Sequence, residues 1–176
     1  MITPDIAILR LDAAEAQEAI RALVDILADA VAGGASVGFM EWSTPEDYRR
    51  FWAAVADEVD AGRTVLLIAR LAGEIVGTAQ LQLVSKPNQP HRAEIAKVLV
   101  HSQARRRGVG ETLMQAAEDA ARQAKRDLLV LDTDENSAAR RLYARLGWTE
   151  IGTIPRYALM PDGRDCGSTF FYKSLA

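Results

Sequence analysis

Arg105-Arg106-Arg107-Gly108-Val109-Gly110 follows the apolar run Val98-Leu99-Val100 and leads into a stretch where Leu113, Met114, Ala117 and Ala121 recur at helical spacing. The hexapeptide therefore joins a strand over Arg92 to Val100 to a helix over about Val109 to Lys125. Such a junction aims unpaired backbone N–H groups and the positive end of a helix dipole at one point, which suits an anion. Gly108 and Gly110 allow close backbone approach or positive φ, and three arginines can add charge-assisted contacts to phosphate. A diphosphate is the natural guest; the competing reading is a solvated charge run whose glycines merely serve a turn. A P-loop does not fit, because Glu111 and Thr112 follow Gly110 where Lys and Ser/Thr are required. A dinucleotide fingerprint fails on glycine spacing, and the chain opens with helices rather than a βαβ unit.

Before this junction, Ile6, Ile8 and Leu11 suggest a first strand, and Asp12 caps a helix to about Ala32 whose stripe is Ile20, Leu23, Val24 and Leu27. Gly33-Gly34 ends it. Ala35 to Trp42 is unusually apolar for a connection, so it is either tucked under the fold or lines a site. Thr44-Pro45-Glu46-Asp47 opens a second helix running to Gly62. Val65–Arg70 and Ile75–Val84 read as a hairpin across Ala72-Gly73-Glu74, and Lys86 to Pro90 interrupts the pattern. After the junction come a short buried strand, Leu128 to Thr133, and a helix from Ser137 to Leu146 stopped by Gly147. Strands at Glu150–Ile154 and Thr169–Lys173 then lie around the turn Pro161-Asp162-Gly163. No repeat or linker divides the chain, which predicts one mixed α/β domain over 1–176.

At 176 residues a chain typically buries ~70% of its unfolded surface, enough for a core without cross-links. Apolar residues make up 49% and charged residues 26%, an ordinary globular balance, and the net charge of −3 gives no global attraction to nucleic acid. The single cysteine, Cys166, has no close Cys or His partner, so neither an intrachain disulfide nor a metal site is expected, and a reducing cytoplasm suits the chain. Neither a signal-peptide pattern nor a run of membrane-spanning length is present, so no membrane partner is expected. His91 and His101 lack metal-ligand spacing and read as surface or cap residues.

The stretch Arg92 to Trp148 resembles the GNAT N-acetyltransferase superfamily. Its signature, Gln/Arg-x-x-Gly-x-Gly/Ala followed by an Asn…Ala…Tyr…Gly-aromatic helix, reads here as Arg105 to Gly110 and then Asn136-Ser137-Ala138-Ala139-Arg140-Arg141-Leu142-Tyr143 with Leu146-Gly147-Trp148. Within that superfamily the strings Gly33 to Met40, Lys86 to Asn88, Arg92 to Glu94, Leu131 to Thr133 and Pro161 to Arg164 look like the tabtoxin-resistance acetyltransferases, which acetylate the amine of a small β-lactam-containing toxin. Ser102 departs from the pattern by standing where many members carry proline.

The resemblance implies a mostly antiparallel sheet of about seven strands, splayed between the fourth and fifth, flanked by about four helices. It implies acetyl-CoA as co-substrate, a small-molecule amine as acceptor, and a monomer or homodimer. The pantetheine arm would pair with the backbone of Val98, Leu99 and Val100, and an N–H near Leu99 would face the acetyl carbonyl. Arg105, Arg106, Arg107, Gly108, Val109, Gly110 and Thr112 would hold the pyrophosphate, with Asn136, Ala139 and Arg140 approaching from the other side.

An acceptor amine near lysine's pKa of ~10.4 must lose a proton before it attacks a thioester, so a base is needed. Glu94 and Asp132 lie on the two strands that would flank the thioester, and the family often places its base on the Glu94 strand. Asp132 ends an apolar strand, where a purposeless buried acid is costly. Tyr143 is the expected acid for the departing thiolate, although spacing alone also fits a core tyrosine. Phe39, Met40 and Trp42 are expected to wall the acceptor pocket. A catalytically silent coenzyme-binding module, acetylation of a protein or peptide amine, and a nucleic-acid contact by Arg105 to Arg107 are the rival readings.

Overall fold

The computed structural model describes residues 6–175. Its elements run β1 (Ile6–Leu11), α1 (Ala13–Ala32), α2 (Pro45–Asp60), β2 (Thr64–Leu71), β3 (Glu74–Leu83), β4 (Arg92–Val100), α3 (Val109–Gln123), β5 (Leu128–Asp134), α4 (Ala139–Arg145), β6 (Thr149–Leu159) and β7 (Asp165–Ser174). α1 starts where Asp12 accepts from the Glu15 N–H while the Glu15 carboxylate accepts from the Asp12 N–H. Thr44 and Asp47 form the same reciprocal cap on α2, with Pro45 in the first turn, where its missing N–H costs nothing.

The strands form one sheet in the order β1-β2-β3-β4-β5-β7-β6. Side-chain alternation divides each strand between two cores. Leu66, Ile68 and Leu99 pack under α1 and α2, whereas Val65, Leu67, Ala93, Ile95, Leu129 and Leu131 pack against α3 and Tyr143 of α4. Full burial of a side chain such as Leu113 or Leu129 contributes about 1.5–3 kcal/mol over leaving it in water. The β2–β3 hairpin turns through Ala72 and Gly73, both at positive φ (52° and 88°), the geometry that matches strand twist. No helix among the described residues is long and apolar enough to cross a membrane.

Two features of β4 create a site. It runs parallel to β5, and the pairing stops after Arg92–Glu94 opposite Leu128–Val130. Beyond Glu94 the strands diverge, so the expected splay is present. Against β3, the register slips so that Lys97 and Val98 together face Ala79, a bulge with Lys97 at φ 51°.

β6 and β7 are longer than sequence predicts: β6 reaches Leu159 and β7 starts at Asp165. Pro155 marks the expected end of β6, but the ladder with β7 skips from Ile154 to Ala158 and leaves the proline unpaired on an edge strand. The first turn expected of α4 is irregular instead; Ser137 and Ala138 precede the helix, and the Ser137 hydroxyl accepts from the Ala139 N–H.

Candidate active site

The gap between β4 and β5 opens into a cleft of roughly 580 Å³, a volume suited to a small-molecule or cofactor site. One wall is Val98, Leu99 and Val100, the floor is Gly108 to Glu111, and the far wall is Ala139, Leu142 and Tyr143. α3 begins at Gly108, at φ 85° with no side-chain cap, so its first N–H groups remain available to a guest. A Cβ on Gly110 would stand 3.4 Å from Leu142 Cδ2, so glycine keeps this floor low. An open helix start beside an unpaired strand edge fits the phosphates and amides of coenzyme A.

The loop is held from behind by Asp29 of α1. Its carboxylate accepts from the Ser102 N–H (2.8 Å) and hydroxyl (2.6 Å), with His101 Nε2 at 3.7 Å and an Arg105 guanidinium nitrogen at 3.5 Å. Burial works against the Asp29 charge, but the Ser102 hydrogen bonds and the His101 and Arg105 charges outweigh it and lower its pKa. Ser102 supplies an N–H that proline lacks, so the departure from the family pattern has a structural use. His101 Nδ1 accepts from the Gln103 N–H and caps a 3-10 turn, Ser102–Ala104.

The expected phosphate residues divide. Arg105, Arg106, Gly108, Val109 and Gly110 line the cleft. Arg105 is partly committed elsewhere, its Nε donating to the Val100 carbonyl at 3.1 Å. Arg107, Thr112, Asn136 and Arg140 lie outside the lining. The Thr112 hydroxyl donates back to the Gly108 carbonyl, the Asn136 N–H closes a turn on Asp134, and the Arg140 guanidinium is taken by the Glu135 carbonyl and the Glu150 carboxylate.

Tyr143 is 5% exposed and lines the cleft. Burial, reinforced by the Asp132 charge, pushes its phenol up to about 12. Asp132 itself is exposed, not buried as the sequence suggests, because β5 has already left β4 at that point. Its Oδ2 accepts from the Ser168 hydroxyl at 2.5 Å. The Glu94 side chain is 43% exposed with Arg92 at 4.0 Å. Since Ala93, Ile95, Leu129 and Leu131 face α3, alternation turns Glu94, Val130 and Asp132 toward the α1–α2 side, so both carboxylates share one face.

That face is roofed by the α1–α2 connection, which is latched to the β6–β7 turn. The Ser36 hydroxyl donates to the Leu159 carbonyl at 2.7 Å and the Glu41 N–H to the Pro161 carbonyl at 3.0 Å. Phe39 packs edge-on against Tyr48 and Phe51, and the Met40 N–H donates to Ser43, while Trp42 points outward, 68% exposed. Three contributors carry weak or no sequence signal. Gly33 to Val37 lines the cleft, which the apolar run from Ala35 signals only as one of two alternatives. Ser168 meets Asp132 through the β5–β7 ladder, and Lys97 reaches the face through the bulge; neither leaves a local sequence signal.

Residues 17–148 match the acetyltransferase (GNAT) family. An N-acetyltransferase encoded in the hisH–hisA intergenic region of Azospirillum brasilense is 30% identical over 133 residues, covering 74% of this chain and 77% of that protein. Among solved structures, the ribosomal-protein-alanine N-acetyltransferase of Brucella melitensis superposes with TM-score 0.80 at 24% identity, over 96% of this chain and 99% of its own. The protein yncA of Salmonella typhimurium, solved with its cofactor acetyl-CoA, gives 0.79 at 21% identity, over 98% and 95%. At these identities the superpositions establish a shared fold.

Proposed function

This chain belongs to the acetyltransferase (GNAT) family, and on that premise we propose that it is a single-domain enzyme moving an acetyl group from acetyl-CoA to the primary amine of a small molecule, by direct attack in a ternary complex. The observation carrying this reading is the cleft where β4 leaves β5, floored by the uncapped start of α3. Acetyl-CoA supplies an activated thioester there. The α3 N–H groups with Arg105 and Arg106 bind the pyrophosphate, the backbone of Val98 to Val100 pairs with the pantetheine amides, and an N–H near Leu99 receives the negative charge developing on the carbonyl oxygen.

Glu94 and Asp132, on one face, are assigned to the ammonium group: one accepts its proton directly or through water, the other holds the amine. Asp132 is oriented for either task by the Ser168 hydrogen bond. Tyr143 is assigned to the leaving sulfur. Moving a proton outright from a phenol near 12 to a thiolate whose conjugate acid sits at ~8.5 is uphill by roughly 5 kcal/mol, so the phenol acts chiefly as a hydrogen-bond donor. Cys166 offers no covalent route: burial, aided by the Asp134 charge, raises its thiol pKa and keeps it protonated.

The latched loops favour a small acceptor over an extended peptide, and the tabtoxin-resistance likeness makes amino-acid-like toxins the first compounds to try. Acetyl-dependent thiol release with amino acids, dipeptide-like toxins, aminoglycosides, polyamines and a peptide amine tests the reading. Turnover confined to the peptide, or saturable acetyl-CoA binding with no turnover on any amine, overturns it.

A further inference from the structure

Strict alternation along β4 sends Ile95 toward α3 and would send Lys97 there as well, a cation in the apolar core beside Ala117 and Leu129. The bulge opposite Ala79 prevents this. By inserting one residue it turns Lys97 to the α1–α2 side with Leu99, while Val98 and Val100 return to the α3 side. The cost is a left-handed backbone, φ 51°, at a non-glycine residue.

On that face the Lys97 ammonium stands 5.4 Å from the centre of the Phe51 ring and close to Gly38, where an added Cβ would lie 3.9 Å from Nζ. Among the described residues Nζ forms neither an ion pair nor a hydrogen bond, an unusual state for a largely enclosed charge. Burial lowers its pKa, and the Asp132 charge works in the opposite sense. Deeper in the same face lie two further unsatisfied groups, Gln80 Nε2, whose residue pairs with Ala96, and Trp52 Nε1, next to Phe51. Both are donors. The face thus has spare positive charge at Lys97, two buried N–H donors beneath it, and carboxylates at Glu94 and Asp132.

We propose that Lys97 receives a carboxylate of the acceptor, so that the substrate class is a small zwitterion whose ammonium goes to Glu94 and Asp132 and whose carboxylate goes to Lys97. The inference rests on the transfer to a small amine set out above. A cation held over an aromatic ring still carries three unpaired N–H donors, and a carboxylate can accept from them while balancing the charge.

The test compares free α-amino acids and dipeptides with their carboxamides, in wild type and in Lys97→Met and Lys97→Arg. Wild type is expected to favour the acid over the amide by about tenfold or more in kcat/KM. Lys97→Met should abolish that ratio, mainly by raising KM for the acids, and Lys97→Arg should keep part of it, with acetyl-CoA affinity unchanged in both. Equal rates on acid and amide in wild type overturn the inference while leaving amine acetylation standing. So does an equal fall in kcat on acids and amides in Lys97→Met, which would make Lys97 a base or a structural residue. If no acceptor turns over, the proposed function fails by itself; calorimetry of each acid and amide pair on the CoA-loaded protein then decides, and carboxylate-selective, Lys97-dependent binding sustains the inference whereas its absence overturns it.

Discussion

The proposed coenzyme end of the cleft centres on one continuous stretch, Val98 to Glu111, walled by Ala30, Gly33 to Val37 and α4, whereas the proposed acceptor face gathers side chains from the loop after α1, α2, β4, β5 and β7. The first is a local device: a strand edge, a glycine turn and a helix start present backbone N–H groups whatever side chains surround them. The second is a collection of side chains brought together by ladder register and loop latches. Acetyl-CoA recognition should therefore respond sharply to backbone geometry, and acceptor chemistry to single side chains.

The largest expected effect tests the local device. Gly108→Val places a β-branched residue at φ 85°, and acetyl-CoA affinity measured by calorimetry should fall by about 100-fold or more, while stability drops only about 1–2 kcal/mol. Retained affinity would show that the arginines, not the backbone, hold the pyrophosphate. On the acceptor face, Asp132→Asn should lower kcat by about 100-fold with acetyl-CoA affinity nearly intact. A comparable loss in Glu94→Gln alone would assign the base to β4 instead.

Tyr143→Phe bears on the boundary between the two regions and should lower kcat by about tenfold through loss of one hydrogen bond to the leaving sulfur. It also carries a pH signature. A phenol raised to about 12 holds its proton in the folded state after an unfolded tyrosine has begun to lose it near ~10. The resulting stabilisation is full below pH ~10 and is lost as pH rises toward 12, about 2–3 kcal/mol in all. Denaturant titrations between those limits should show this slope in wild type and a flatter one in Tyr143→Phe.

The smallest effect concerns the brace behind the loop. Asp29→Asn should weaken acetyl-CoA binding only a few-fold, because the loop loses its anchor but keeps its backbone path. Since the Asp29 pKa is lowered, its stabilisation is present above ~3.8 and disappears as pH falls through the folded value. The stability gap between wild type and variant should therefore close in acid. A gap constant with pH would mean that Asp29 acts through packing alone.

The elements were legible where local rules are strong. Asp12 and Thr44 mark helix starts because a side-chain oxygen there satisfies orphan N–H groups, and Gly108 stands out because a left-handed residue before a helix favours glycine. β6 exceeds its sequence-based bounds because Pro155 ends a strand by any local rule, and only the skipped pairing on an edge strand accommodates it. The apolar neighbours Val130 and Leu131 imply a buried Asp132; its exposure follows from where β5 parts from β4.

The uncapped glycine turn, the helix periodicities and the order of the two motif blocks follow from the chain alone, because backbone conformation and i, i+4 neighbours are properties of contiguous residues. The commitment of Arg140 to Glu150, the pairing of Ser168 with Asp132 and the turning of Lys97 toward Phe51 were decided by tertiary structure. Each depends on which strand lies beside which and on a single-residue slip in register, and a slip of one residue reverses the face a side chain occupies without altering a letter of the sequence.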